Sequence, residues 1–193
     1  MPYPAKTRRR WSLAGAILIV IIMSGFPDPA RPQQISERAR AVGAEWLLSN
    51  CEIGEGTRLT SQLIQFKAEL EPFFLQALQQ GPNDKQLSGV QRASEVRYQQ
   101  RQELLKSRQR LGLSDDDRKA AQAISREQYL AQEKEAFVLR YKSQAVAGLG
   151  IVGGPKAKAM LEPLGNDEKS PLQGSAHEAL KRMASSGNNR APR

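Results

Sequence analysis

From about residue 34 onward, apolar residues recur at three- and four-residue intervals, and no stretch alternates apolar and polar with the period of a strand. Ile35, Ala39, Val42 and Trp46 fall on one face of a helix predicted over about Gln34–Ser49. Asn50 to Thr57, with two glycines, interrupts the pattern. Leu59, Leu63, Phe66 and Leu70 predict a second helix over Arg58–Leu70. Pro72 then marks a junction, or the first turn of a third helix reaching Gln79. Gly81-Pro82-Asn83-Asp84 is a stop followed by a new start. The next helix, from about Lys85 or Ser88 to Leu111, differs in kind. Its apolar residues form only a thin seam through Val90, Tyr98, Leu104, Leu105 and Leu111. Between Arg92 and Arg110, six basic residues face only Glu95 and Glu103. Such a helix is mostly solvated unless a partner covers it.

After Gly112-Leu113, Ser114 and Asp115 to Asp117 predict a helix start, with a hydroxyl cap and carboxylates on the positive end of the dipole. The triplet lacks the further alternating oxygen ligands and the closing glutamate of a calcium loop. The helix is predicted to run to about Ala147, with Ala120, Ile124, Leu130, Phe137, Val138, Tyr141, Ala145 and Leu149 on its stripe. Gly148, Gly150, Gly153 and Gly154 then punctuate the chain. No strand precedes them and no Gly-Lys-Ser or Gly-Lys-Thr follows, so a phosphate loop is not predicted. Pro155 opens a short helix that Gly165-Asn166-Asp167 ends. Leu172, Ala176, Ala179, Leu180 and Met183 trace the last one. The expected fold class is all-α, with a helical domain over residues 31–185 and a disordered tail over 186–193.

Residues 1–30 read separately. Arg8, Arg9 and Arg10 directly precede an apolar run from Leu13 to Met23, the pattern of an export signal or signal anchor. As a helix, Trp11 to Phe26 rises about 24 Å, a little short of a ~30 Å hydrocarbon core. Small residues at a cleavage site are poorly matched here, which favours a retained membrane anchor over a cleaved signal. The body is then expected to face the periplasm from a bacterial inner membrane, or to be secreted if the signal is cut.

The formal charge is +9. Lys6 and the three arginines, against Asp28, account for three of those charges and leave an excess of six on the remainder. An acidic partner or anionic surface fits that excess. Nucleic acid is not an expected partner, because the chain is read as exported and its basic residues are not interleaved with aromatics. Cys51 and His177 each stand alone, so neither an internal disulfide nor a metal site is expected. No set of residues assembles into a catalytic constellation, and no cofactor is expected. Binding is the expected activity. The candidate partner-binding residues are Tyr98, Arg101 and Arg108 on the basic helix, both arginines expected exposed, with Tyr129 and Phe137 on its neighbour.

Two resemblances extend this reading. The segment from Ala145 to Met183 resembles a degenerate HEAT-like helical repeat: Ala145, Leu149 and Val152 recur at Ala176, Leu180 and Met183, and Leu-Glu-Pro at 161–163 echoes 70–72. The stretch from Arg97 to Arg140 resembles the C-terminal helices of lipase-specific foldases. The matching features are Tyr98 and Arg101, the Gly112-Leu113-Ser114 turn, Asp117-Arg118, Tyr129, and Glu133 to Phe137. That resemblance implies an all-helical periplasmic chaperone that wraps an exported client such as a lipase. The family's Arg-x-x-Phe-Asp-Tyr motif is not found in this chain, its members are much longer, and this chain continues some fifty residues past the match. The alternative reading is a non-catalytic helical-repeat scaffold of an envelope assembly.

Overall fold

A computed structural model describes residues 35–49, 55–106 and 123–188. Among them are seven α-helices and no strand: α1 (Glu37–Leu48), α2 (Glu55–Gln65), α3 (Lys67–Gln80), α4 (Asp84–Lys106), α5 (Arg126–Val152), α6 (Pro155–Asn166) and α7 (Gln173–Asn188). The all-α class is as expected. No described helix is long and apolar enough to cross a membrane, and the predicted signal or anchor lies outside the described residues.

The 27-residue α5 is the organising element. It packs against every other described helix, most extensively against α3 and α7. Tyr141, Ala145, Val146, Leu149 and Val152 are buried along it and meet Phe74 and Leu70 of α3 in one continuous core. The end of α1 is fastened to the same helix. Trp46 Nε1 donates to the Gln144 carbonyl at 2.8 Å, and Gln144 Nε2 reaches the Ser49 carbonyl at 3.4 Å. The buried indole thus keeps a partner for its one polar atom.

Four local expectations are corrected. The helix predicted to end at Leu70 breaks earlier, at Phe66, whose φ of −103° and ψ of 21° leave the helical region. Pro72 consequently lies inside α3, past its first turn. Ala68 and Pro72 are both exposed, so the carbonyl that the proline leaves unbonded faces water. The long helix predicted from Ser114 is not continuous to Ala147, because Ala123 and Ile124 form a turn and a new helix starts at Arg126. Ser125 caps it, accepting from Gln128 N at 3.1 Å while Gln128 Oε1 accepts from Ser125 N at 3.0 Å. Third, Gly148 and Gly150 do not end α5; they lie within it, and the helix stops at Gly153 with φ of 50°. A Cβ at Gly148 would sit 2.8 Å from the Phe74 ring, and one at Gly150 would sit 2.8 Å from the Ala179 Cα. These glycines allow close helix packing rather than a turn. Fourth, α7 runs to Asn188, past the expected end at Ser185; the Ser185 and Ser186 hydroxyls bond back to the Lys181 and Arg182 carbonyls at 3.0 Å each.

Two carboxylates of α3 tie the helix starts together. Glu69 Oε2 accepts from Ser36 N, at the cap of α1, at 2.6 Å. Hydrogen bonds from Ser36 hold this carboxyl below its ordinary pKa. Glu71 Oε1 accepts from Ala157 N in the first turn of α6 at 2.8 Å. Gly154, the residue before α6, has no side chain to cap it, and a Cβ there would land on the Glu71 carboxylate. The Gly-Gly-Pro run therefore combines a left-handed stop, room for a borrowed cap and a proline at the helix start.

Candidate functional site

α4 and the first half of α5 run antiparallel, as the pairs Ser94–Glu133 and Tyr98–Tyr129 show. On α4, Ser94, Arg97, Tyr98, Arg101 and Leu105 recur at helical spacing. On α5, Tyr129, Glu133, Phe137 and Tyr141 do the same. These two stripes form the seam, and it is unusually polar. Arg97 Nη2 donates to Glu133 Oε2 at 2.6 Å and to Ser94 Oγ at 2.9 Å, and Ser94 is only 1% exposed. Arg126 grips Glu95 with two parallel bonds, Nε to Oε1 at 2.7 Å and Nη2 to Oε2 at 2.6 Å. Those bonds hold the Glu95 carboxyl below its ordinary pKa and raise that of Arg126. Arg97 is raised as well, chiefly by its hydrogen bond to Glu133. All three charges are thereby fixed across the accessible pH range above the carboxylates.

The Tyr98 and Tyr129 rings lie 5.5 Å apart, tilted by 44°. The Arg101 guanidinium carbon stands 5.7 Å from the Tyr129 ring centre, within reach of a cation–π attraction. The structure thus brings together three of the five predicted binding residues, Tyr98, Arg101 and Tyr129. Arg101 is half-buried rather than exposed as expected. Phe137 belongs elsewhere. It is 8% exposed, packs 6.2 Å from the Tyr141 ring and carries Arg140 over its face at 5.6 Å, so it serves chiefly the core and shows only an edge in the cleft beside Arg97 and Arg140. Arg108 lies outside the described residues. Leu104, expected in the seam, is 49% exposed, whereas its neighbour Leu105 is buried.

Clefts of about 440 and 380 Å³ open between the two helices, the first beside Leu87 and Leu130, the second beside Arg97 and Arg140. Among the described residues, no group of three His, Cys, Asp or Glu side chains could hold a metal ion. His177 is exposed on α7. The pairings Arg97–Glu133 and Arg126–Glu95 were not legible beforehand, because they depend on the register between two helices rather than on spacing within either.

No family model matches this chain, and no match was found among the curated proteins or the solved structures.

Proposed function

We propose that the protein is a membrane-anchored, extracytoplasmic helical binding protein that acts as a chaperone for an exported client such as a lipase. The observation that carries this reading is the Tyr98–Tyr129 ring pair with Arg101 over it, on a hairpin that buries little else. Half-buried tyrosines and an arginine are the residue types that anchor protein interfaces, and the surrounding Arg and Gln side chains give adaptable hydrogen bonds to an irregular client surface. The resemblance to lipase-specific foldases supplies the client class. Arg8 to Arg10 and the apolar run after them supply the anchor and the orientation.

The test has two readouts. A reporter active only outside the cytoplasm, fused after Arg193, should be active. In refolding of a denatured exported lipase, the protein should raise the yield of active enzyme. Arg101→Glu with Arg108→Glu should abolish that rise while leaving helix content intact, and weaken client capture in a way that low salt no longer alters. No rise in yield with the parent protein, or a rise unchanged in the double variant, would sink the reading.

A scaffold role in an envelope assembly is the second reading. It is favoured by the close packing of α5 on α7 at Gly150 and Ala179, in the segment with the repeat resemblance. A scaffold of that kind would hold its partners without raising the yield of any client.

A further inference from the structure

One residue further along α5, turned about 100° from the seam, the helix has a second face. Val138 is half-buried there and Leu139 is 39% exposed. The turn before α7 brings Pro171 and Leu172 beside them, and the four residues line a groove of about 720 Å³. Lys134 and Lys142 also line it. They stand eight residues apart, about 12 Å along the helix axis, on either side of Val138 and Leu139. Neither lysine is in an ion pair among the described residues, and Glu135 is the one acid on the lining.

An apolar floor of this size suits the ridge of a single helix. Two ammonium groups outside any described ion pair bracket the floor and outnumber the single Glu135 carboxylate, which favours carboxylates at both ends of that ridge. A second copy of this chain is disfavoured by its charge of +9. We propose that the groove binds an acidic amphipathic helix of a partner protein, with apolar side chains on Val138, Leu139 and Leu172 and carboxylates against Lys134 and Lys142. The site is separate from the Tyr98–Tyr129 surface and does not depend on the chaperone reading.

Two fluorescent peptides about five helical turns long test this: one patterned Leu/Glu, the other Leu/Lys with the same apolar positions. Titrated into the full chain, the Leu/Glu peptide should bind about tenfold or more tightly than its counterpart. Leu139→Glu should weaken that binding about tenfold or more. Lys134→Glu, alone at an exposed position and then together with Lys142→Glu, should first erode and then reverse the preference, so that the swapped variant selects the Leu/Lys peptide. Helix content and melting temperature are followed for each variant. Equal affinity for the two peptides, no binding of either, or an unaltered preference in a folded swapped variant overturns the proposal. So does self-association of the parent chain that Leu139→Glu abolishes, which would put a second copy in the groove.

Discussion

Gly150 and Gly89 both lie inside helices, yet a methyl group added to each meets different surroundings. At Gly150 the new carbon would stand 2.8 Å from the Ala179 Cα, which is backbone and cannot turn aside. At Gly89, on α4, nothing lies within 4 Å. Alanine favours a helix over glycine by up to ~1 kcal/mol. Forcing α5 and α7 apart costs about 1–3 kcal/mol. Because the obstacle is backbone, the upper part of that range applies at Gly150, so Gly150→Ala is expected to destabilise by about 1–2 kcal/mol net, and Gly89→Ala to stabilise by about 0.5–1 kcal/mol, in urea unfolding. A Gly150→Ala protein as stable as the parent would show that α7 is not held against α5 at this point. The same contrast explains why Gly148 and Gly150 depart from the expected punctuation while Gly153 and Gly154 fulfil it. A sequence shows that a side chain is missing; it does not show whether the gap serves a turn, as at Gly153, or the approach of another helix, as at Gly150. Tyr98, Arg101 and Tyr129 were legible as candidates because aromatic and basic residues stand out on a helix so poor in apolar ones. Phe137 sits deeper than its sequence suggests because a stripe of apolar positions does not say where along it the surface ends and the core begins.

At the scale of elements, α4 and α5 begin alike. Asn83 Oδ1 accepts from Gln86 N at 2.9 Å and Gln86 Oε1 accepts from Asn83 N at 2.8 Å, reproducing at α4 the reciprocal cap of Ser125 and Gln128. The first start was legible because Gly81-Pro82 announces it. The second is hidden in the sequence because the apolar stripe continues through Ile124 without a glycine or proline, although Ser-x-x-Gln stands there. Between the two helices, Glu95 and Arg126 form the most regular polar contact of the seam. The Glu95 carboxyl is held low in the folded protein. Its contribution is thus fully present above the unfolded carboxylate pKa and is lost as pH falls through the lower folded value. The parent protein should lose stability between about pH 6 and about pH 3. Arg126→Gln should lose less over the same interval, since it removes the group that lowers Glu95. Glu69, lowered in the same direction by Ser36, leaves a residual acid sensitivity in both proteins. Urea midpoints at the two pH values measure the difference, and identical acid losses would mean that the Glu95–Arg126 contact does not persist in solution.

For the whole molecule, the apolar stripes predicted that each helix buries a face but not against which partner, and the partner pattern proves lopsided. The C-terminal half of α5 lies in the core, where α1, α3 and α7 bury Val146, Leu149 and Val152. α4 is attached differently. Among the described helices it packs on α5 alone, and of its described side chains only Ser94 and Leu105 are buried. Its seam is held by ion pairs whose arginines are about half exposed, and water screens such pairs so that each adds little to stability. A helix attached by one face through contacts of that strength opens more readily than a helix buried on several sides. Native-state hydrogen exchange should therefore show the α4 amides from Val90 to Arg101 opening at lower free energy than those of α5 from Ala145 to Val152, with the first half of α5 in between. If the Tyr98–Arg101–Tyr129 surface engages a client, adding client should raise protection in α4 and leave the C-terminal half of α5 unchanged, because only the former gains a second neighbour. Equal protection of α4 and the α5 core in the free protein would mean that the polar seam is as cooperative as the core, and the case for α4 as an adaptable arm would fall.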